Sequence, residues 1–370
     1  MSTQISTQTT LNGICPYFTM FPLDFPLSVL RQHATAGQWV IDPFCGRGTT
    51  NYASRLLGLP SIGIDSSPVA TALTQAKLAN TSPTAIVRAA RRVLDTADVP
   101  REVPDGEFWE WAFDRDVLLT ICRLREGLSR DCRSDARRAL RAIIMGALHG
   151  PRPKGQPSYL SNQSPRTYAP KPRYAVGFWK KHDLRPQSVD VLDLIKRRAE
   201  RYYAHESSTA AGHAILGDSR EQGVFAAMSL PAEIQWVITS PPYYGMRTYV
   251  PDQWLRSWFV GGPATVDYST SGQLAHTSPE VLTSQLCSVW KNVGSLCAAD
   301  ARLVVRFGGI NDRHIAPLPI IKKSLETSGW TVDAVEPAGV ASRGRRQANA
   351  FLSVIKQPLE EYDVWATRTS

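Results

Sequence analysis

The sequence lacks the residue spacings that mark several common functional classes. Its six cysteines include no C-x-x-C pair and its seven histidines no H-E-x-x-H grouping, so we expect reduced thiols and no metal site. It has no long apolar run and no signal-peptide pattern, which predicts a cytoplasmic protein with no membrane partner. A chain of 370 residues forms one large domain or two ordinary ones.

Positive charge is concentrated in one part of the chain. The formal net charge is +9, which favours an acidic partner such as nucleic acid. Residues 151 to 201 contain twelve basic and four acidic residues, so this segment alone carries +8. Tyrosine, phenylalanine and tryptophan residues are interleaved with the basic ones. This composition suits a phosphate backbone and nearby bases, and a solvated surface is the alternative interpretation.

Residues 239 to 245, Thr-Ser-Pro-Pro-Tyr-Tyr-Gly, follow an apolar run that is typical of a buried strand. Two consecutive prolines cannot continue the strand, because both lack the amide donor and have a fixed φ. The chain therefore leaves the sheet at its carboxyl edge, where open α/β sheets bind ligands. Ser240, a backbone carbonyl and the Tyr243 ring would offer acceptors for an amino group beside a platform for a planar base. An ordinary proline turn is the alternative.

Residues 38 to 50 predict a strand, a glycine turn and a helix from about Thr50 to Leu57. Gly46 and Gly48 would bring backbone amides close to a ligand at the amino end of that helix. A second predicted strand ends on Asp65, about 20 residues after the glycines, where an acidic residue usually binds ribose hydroxyls. For Asp65, a plain helix cap is the alternative.

These two segments resemble one protein family. Asp-Pro-Phe-Cys-Gly-Arg-Gly-Thr-Thr at 42–50 resembles the S-adenosylmethionine motif of the amino-methylating DNA methyltransferases, and Thr-Ser-Pro-Pro-Tyr at 239–243 resembles their catalytic motif. The resemblance covers about residues 15–80 and 211–356. It implies a class I methyltransferase fold, an α/β Rossmann-like sheet with an antiparallel last strand. It also implies S-adenosyl-L-methionine as cofactor, and methylation of the exocyclic amine of a flipped base in double-stranded DNA.

The resemblance assigns roles to individual residues. The catalytic residues would be Ser240, Pro241, Pro242 and Tyr243. The cofactor-binding residues would be Thr19, Asp42, Pro43, Phe44, Gly46, Gly48, Thr49, Thr50, Asp65, Ser66, Asp218, Ser219 and Thr239. Asp218 would accept a hydrogen bond from the adenine amino group of the cofactor, and a helix cap is its alternative. Residues 303–307 would form the fifth strand, and residues 330–335 and 351–355 the terminal antiparallel pair.

About 130 residues separate Leu78 from the third predicted strand, which is too long for a loop inside a compact domain. We therefore predict a disordered tail at 1–12, a catalytic domain at 13–83 and 211–370, and an inserted target-recognition region at 84–210. Predicted DNA contacts fall in the insertion and in a carboxyl-terminal turn: Arg166, Lys171, Arg173, Lys180, Lys181, Arg343, Arg345 and Arg346. A solubilising surface loop is the alternative for the carboxyl-terminal cluster.

Serine at position 240 favours N4 of cytosine as the methylated atom, because adenine-N6 enzymes of this family more often carry Asp or Asn there. An N6-adenine DNA methyltransferase would use the same residues. An RNA amino-methyltransferase and a non-catalytic DNA-binding module that retains the cofactor fold are further alternatives. The resemblance is also compatible with a restriction-modification role beside a cognate endonuclease that acts separately.

Overall fold

A computed structural model describes residues 9–17, 22–96, 99–150, 157–162, 171–205, 209–244, 251–268, 274, 278–309, 316–340 and 360–369. The chain divides into two compact units. The sheet unit comprises residues 18–74, 208–248 and 270–370, and the helical unit comprises residues 1–17, 75–207 and 249–269.

The sheet unit is built on one seven-stranded sheet in the order β3-β2-β1-β4-β5-β7-β6. Its strands are β1 (Trp39–Asp42), β2 (Ser61–Asp65), β3 (Gly212–Leu216), β4 (Ile234–Thr239), β5 (Cys297–Gly308), β6 (Trp330–Val340) and β7 (Glu360–Arg368). Strands β1 to β5 pair in parallel, and β7 runs antiparallel between β5 and β6. The predicted class I methyltransferase fold is therefore confirmed.

The described α-helices are α1 (Asp24–His33), α2 (Thr49–Leu56), α3 (Pro68–Leu78), α4 (Pro83–Asp95), α5 (Glu107–Ala112), α6 (Arg115–Arg130), α7 (Asp135–Ala147), α8 (Pro172–Lys181), α9 (Val191–Tyr203), α10 (Gln222–Ala226), α11 (Trp254–Phe259), α12 (Pro279–Gly294) and α13 (Pro317–Glu326). None of these helices has the length and apolar character needed to cross a bilayer.

Burial in the core of the sheet unit explains why the sequences of these strands are continuous apolar runs. All four residues of β1 are buried, and Val237 and Ile238 of β4 are fully enclosed. Buried strands of parallel sheets are covered on both faces and so lack an alternating pattern. Trp290 of α12 is completely buried against the sheet. This packing fixes the carboxyl ends of β1 and β4 as immediate neighbours, since the two strands pair directly.

The last strand differs from its prediction. Residues 303–307 lie within β5 as expected, but the strand that pairs with β6 is Glu360–Arg368. Residues 351–355, predicted as that strand, lie outside the described residues. The sequence of β7 carries three acidic residues at Glu360, Glu361 and Asp363, which hides its strand character from a hydrophobic pattern.

An aromatic cluster holds together distant segments of the helical unit. The ring of Trp109 in α5 lies 4.6 Å from that of Trp258 and 5.7 Å from that of Trp254, both in α11, and Phe108 lies 4.9 Å from Trp254. The segment that contains α11 thus completes the core of this unit. The predicted boundaries of 84–210 did not include this segment. The central segment of the helical unit begins at Gln75 rather than at residue 84. The Tyr203 hydroxyl of α9 donates to the Ala76 carbonyl at 2.8 Å, which ties residues before 84 to this unit.

Residues 9–12, predicted to be part of a disordered tail, are ordered. They belong to a 3-10 helix, Thr9–Gly13, in which Leu11 is buried. Lys77 Nζ donates to Asn12 Oδ1 at 2.7 Å. Gly146 of α7 has no side chain, and the Ile14 carbonyl lies where a Cβ of this residue would be. The apolar residues Leu11 and Ile14 thus fold back onto the helical unit.

Candidate active site

The glycine turn between β1 and α2 is held by internal contacts. Gly46 and Gly48 have φ of 50° and 74°, and a Cβ at Gly48 would lie 2.7 Å from the Thr74 hydroxyl. The Gly46 amide donates to Asp65 Oδ2 at 2.9 Å, and the Gly48 amide donates to the Cys45 carbonyl at 2.7 Å. Both amides are therefore engaged within the protein. Cofactor binding at Gly46 and Gly48 stays a prediction.

Asp65 connects three parts of the site. It ends β2, accepts from the Gly46 amide through Oδ2, and accepts from the Ser67 amide through Oδ1 at 2.8 Å. Burial raises the pKa of Asp65 to about 6, although the two amide hydrogen bonds lower it. The side chain that caps the next helix is that of Ser67, which accepts from the Ala70 amide at 3.4 Å, so Asp65 is not the helix cap. A ribose contact would use the remaining acceptor capacity of the same carboxylate.

Asp42 links the glycine turn to the diproline segment. Thr239, the last residue of β4, donates its hydroxyl to Asp42 Oδ1 at 2.6 Å, and the Thr50 hydroxyl donates to the Ile238 carbonyl at 3.1 Å. Burial raises the pKa of Asp42 to about 6, with the hydrogen bonds acting in the opposite direction. The second oxygen, Oδ2, is buried and has no hydrogen-bond partner among the described residues. The two predicted motifs therefore meet at one edge of the sheet.

The diproline corner follows directly on that contact. Pro241 is buried and Pro242 is partly buried. The Ser240 hydroxyl oxygen is buried, and within the described part of the chain it makes no hydrogen bond. A buried hydroxyl without a partner is unfavourable by about 1–3 kcal/mol, so its presence points to a ligand group that would satisfy it.

Tyr243 is not the open platform that the sequence suggests. Only 1% of the residue is exposed. Its ring packs edge-on against Phe307 at 5.3 Å between centroids, and its hydroxyl donates to Glu361 Oε1 at 2.7 Å. These contacts leave the ring enclosed by the protein. A base could stack on this ring only after the ring is uncovered.

Asp218 lies just beyond β3, next to Asp65 in the sheet order. The Gly217 amide donates to the Asp65 carbonyl at 3.0 Å, which fixes the two chain segments side by side. Asp218 forms an ion pair with Arg220, and this partner lowers the pKa of Asp218. The helix that follows is capped at Glu221, so Asp218 is not its cap residue. An adenine amino group would have to share Asp218 with Arg220, a residue that sequence reasoning missed.

The remaining predicted cofactor residues are distributed around these contacts. Ser219 donates its hydroxyl to the Pro43 carbonyl at 2.7 Å, and Phe44 packs edge-on against Trp290 at 6.2 Å. Thr49 is buried at the start of α2, and Ser66 is exposed after β2. Among the predicted site residues, Thr19, Arg166, Arg343, Arg345 and Arg346 lie outside the described residues.

The basic residues of the helical unit fall into two groups. Lys171, Arg173 and Lys181, on or beside α8, are exposed. Others bind groups of the same unit: Lys180 pairs with Glu107 at the surface, and Arg198 donates to the Ser158 carbonyl at 2.6 Å and lies over the Tyr159 ring. The charge of this segment is thus divided between internal contacts and an exposed helix face.

The donor and acceptor set of the sheet unit fits S-adenosylmethionine. Two carboxylates stand at or just beyond the ends of adjacent strands, and the unsatisfied Asp42 oxygen adds negative charge beside the glycine turn. Carboxylates suit the hydroxyl and amino donors of a nucleoside and the positive charge of a sulfonium. In the part of the chain that the structure describes, no group of three or more His, Cys, Asp or Glu residues is placed to hold a metal ion.

Comparison with solved structures returns methyltransferases of low similarity. The rRNA methyltransferase aviRa from Streptomyces viridochromogenes has 13% sequence identity and a TM-score of 0.35, covering 95% of this chain and 87% of that chain. Magnesium protoporphyrin IX methyltransferase from Synechocystis PCC 6803 has 10% identity and a TM-score of 0.34, covering 94% of this chain and 78% of that chain. At these TM-scores we base no conclusion on the likeness.

Sequence comparison gives a more specific result. Type II methyltransferase M.MjaII from Methanocaldococcus jannaschii is 38% identical over 68 residues, which is 18% of this chain and 13% of that protein. The chain therefore matches only a small part of this relative. A family described as DNA methylase, N6_N4_Mtase, matches residues 3–76. This segment holds β1, the glycine turn, α2 and Asp65, and it identifies the chain as similar to the amino-group DNA methyltransferases, as the two motifs predicted.

Proposed function

We propose that this chain is an S-adenosylmethionine-dependent DNA methyltransferase that methylates the exocyclic N4 amine of a flipped cytosine in duplex DNA. The observation that carries the proposal is the Thr239–Asp42 hydrogen bond of 2.6 Å. It supports the proposal because it joins the strand of the cofactor motif to the residue before Ser240. Reactants bound at the two motifs would then be close neighbours, which is the main requirement for a direct transfer.

When bound, S-adenosylmethionine would supply the methyl group as an electrophilic sulfonium. It would be held by Asp65, Asp218 and the turn that follows Asp42. The protein's own task is to orient the amine, whose lone pair is delocalised into the ring. Ser240 Oγ and the Pro241 carbonyl would accept its two N–H groups and favour a pyramidal nitrogen. The nitrogen would take the methyl group from the sulfonium, leaving a neutral thioether, and would release one proton to solvent.

Flipping the base requires a few kcal/mol of unstacking. The exposed basic residues Lys171, Arg173 and Lys181 are candidates for the phosphate contacts that would offset part of it. A role in restriction and modification, beside an endonuclease that acts separately, is part of the proposal. It is supported by the short match to a protein named a Type II methyltransferase.

Mass spectrometry of nucleosides tests the proposal directly. Duplex DNA incubated with the purified chain and S-adenosylmethionine should yield N4-methylcytosine. N6-methyladenine instead would keep the mechanism but change the base. Structured RNA and duplex DNA are then each added as competitors. If structured RNA abolishes methyl transfer and duplex DNA does not, the substrate is RNA. Failure to bind the cofactor at all would favour a non-catalytic DNA-binding module.

Cofactor affinity is expected to fall as the pH drops through about 6. Burial raises the pKa of Asp42 and Asp65 to about 6, so both carboxyl groups take up a proton below that pH in the free protein. A bound ligand that donates hydrogen bonds or carries positive charge lowers these pKa values, so binding releases protons. The affinity should therefore decrease by up to about tenfold per pH unit for each coupled carboxyl below about pH 6, and level off above it.

Titration calorimetry in buffers with different heats of ionisation measures this proton release. The Asp114→Asn variant provides the control, because Asp114 caps α6 in the helical unit and the pH dependence should not change. An affinity that stays constant between about pH 5 and about pH 7.5 would contradict the coupling.

The salt dependence of DNA binding should weaken when Arg173 and Lys181 are both replaced by glutamine. Each phosphate contact contributes about 0.9 to the slope of log K against log salt, so losing two should reduce the slope by about 1.8. Lys180→Gln is the matched control on the same helix, since Lys180 already pairs with Glu107 and should change the slope less. A double variant whose slope changes no more than that of Lys180→Gln would mean that Arg173 and Lys181 are not phosphate contacts.

A further inference from the structure

The Tyr243 side chain is fixed by a residue more than a hundred positions away. Its hydroxyl donates to Glu361 Oε1 at 2.7 Å, and only 6% of Glu361 is exposed. Glutamate is rarely buried unless its carboxylate is satisfied, so the bond accounts for this placement. The aromatic ring is held in one orientation by the carboxylate on one side and by the Phe307 ring on another.

The antiparallel last strand brings Glu361 to this position. Glu361 lies at the amino end of β7, and in the register of the sheet it stands opposite Gly308, the last residue of β5. An antiparallel neighbour begins where its partner ends, so the start of β7 lies at the carboxyl edge of β5. This is the same edge at which β4 delivers the diproline corner.

Gly308 provides a second, independent sign that this arrangement is built in. A Cβ at Gly308 would lie 2.9 Å from Glu361 Cγ and 3.0 Å from Tyr243 Cε2. The side chains of Glu361 and Tyr243 therefore lie so close to the Gly308 backbone that a larger residue at position 308 would force one of them to shift. The Gly308 backbone and the Glu361 side chain thus both restrict the position of the Tyr243 ring.

We propose that Glu361 is a positioning residue for methyl transfer, acting through the Tyr243 hydroxyl. The inference rests on the proposed function and extends it. Tyr243 follows two prolines whose φ angles are fixed, so a shift of its side chain is transmitted to Ser240 and the Pro241 carbonyl. The hydroxyl, rather than the face of the ring, is the part of Tyr243 on which transfer depends. Glu361 keeps the acceptors of the target amine in place.

The substitution Tyr243→Phe separates this role from base stacking. Phenylalanine stacks on a base as well as tyrosine does, so a stacking role predicts a nearly unchanged kcat. A positioning role predicts that Tyr243→Phe and Glu361→Ala each lower kcat by about 10- to 100-fold, the scale of a misplacement of about 1 Å. Because both remove the same bond, the double variant should be little slower than either single one.

Matched controls separate the inference from a general loss of structure. Glu360 also accepts from a tyrosine hydroxyl, that of Tyr362, but Glu360 itself is exposed, so Glu360→Ala should leave kcat unchanged. Glu361→Gln keeps an oxygen acceptor and should recover part of the activity that Glu361→Ala loses. The calorimetric affinity for S-adenosylmethionine should stay within about threefold of wild type in all these variants, since none removes a cofactor contact.

Two outcomes would overturn the positioning role. One is a kcat within about twofold of wild type for Tyr243→Phe and Glu361→Ala. The other is an NMR signal of Tyr243, in protein labelled with carbon-13 tyrosine, that is the same with and without the Glu361 carboxylate. The NMR signal needs no turnover, so it tests this inference even if the wild-type chain methylates no DNA. A wild-type chain that methylates no DNA would count against the proposed function, not against the contact between Glu361 and Tyr243.

Discussion

Replacing Ser240 by alanine should lower kcat by about 100- to 1,000-fold without destabilising the protein. The hydroxyl oxygen is buried and makes no hydrogen bond within the described part of the chain, so its removal takes no stabilising contact from the fold. In the proposed reaction, the same oxygen accepts from the target amine as the nitrogen becomes pyramidal. Losing one preorganised hydrogen bond at a reacting centre costs about 100- to 1,000-fold in rate. Steady-state kinetics and a thermal melt of the same preparation measure both effects.

A second buried serine, Ser324, supplies a control in which stability should fall and activity should not. Ser324 accepts from Trp290 Nε1 at 2.9 Å and donates to the Ile321 carbonyl at 2.7 Å. Ser324→Ala should therefore reduce the free energy of unfolding by about 1–3 kcal/mol and leave kcat unchanged. If Ser240→Ala instead loses stability and keeps its activity, Ser240 is a structural residue and the catalytic assignment is wrong.

The substitution Asp65→Asn should weaken S-adenosylmethionine binding by about 10- to 100-fold. A hydrogen bond to a charged acceptor contributes about 1.5–3 kcal/mol, and a ribose would donate to this carboxylate. Asparagine keeps the size of the side chain and one acceptor for the Gly46 or Ser67 amide. The measurement is titration calorimetry at a pH well above 6, where the wild-type carboxylate is ionised.

Asp114→Asn gives the corresponding control for a purely structural carboxylate. Asp114 Oδ1 accepts from the Asp116 and Val117 amides at the start of α6, at 3.1 Å and 3.3 Å. Its replacement should cost about 1 kcal/mol of stability without changing the cofactor affinity. An Asp65→Asn variant that behaves in the same way would mean that Asp65 only supports the glycine turn and the Ser67 amide.

The sequence predicts the parts of the site that depend on local signals. The glycines and Asp42, the diproline and Ser240, and the acidic residue that ends β2 are all local, because turn chemistry and strand ends are set by neighbouring residues. Adjacency of β1 and β4 then follows from the class I strand order, and it brings Asp42 and Thr239 within 2.6 Å.

Contacts between distant residues are the parts that the sequence does not predict. Glu361 has no motif around it, and it reaches Tyr243 only because β7 lies between β5 and β6. For the same reason the burial of the Tyr243 ring could not be foreseen. The basic segment shows a similar limit: composition gives its total charge but does not separate Lys181, which is exposed, from Arg198, which binds the Ser158 carbonyl.

The composition of the helical unit limits which chain segments can be exchanged between related genes by recombination. Its aromatic cluster combines Trp109 from the long central segment with Trp254 and Trp258 from a short segment that interrupts the sheet unit. Recombination that moves residues 84–210 alone between two related genes would separate these rings and expose both halves of a hydrophobic core. We expect functional chimaeras only when the short segment is transplanted together with the long one, so these stretches should evolve as one linked block.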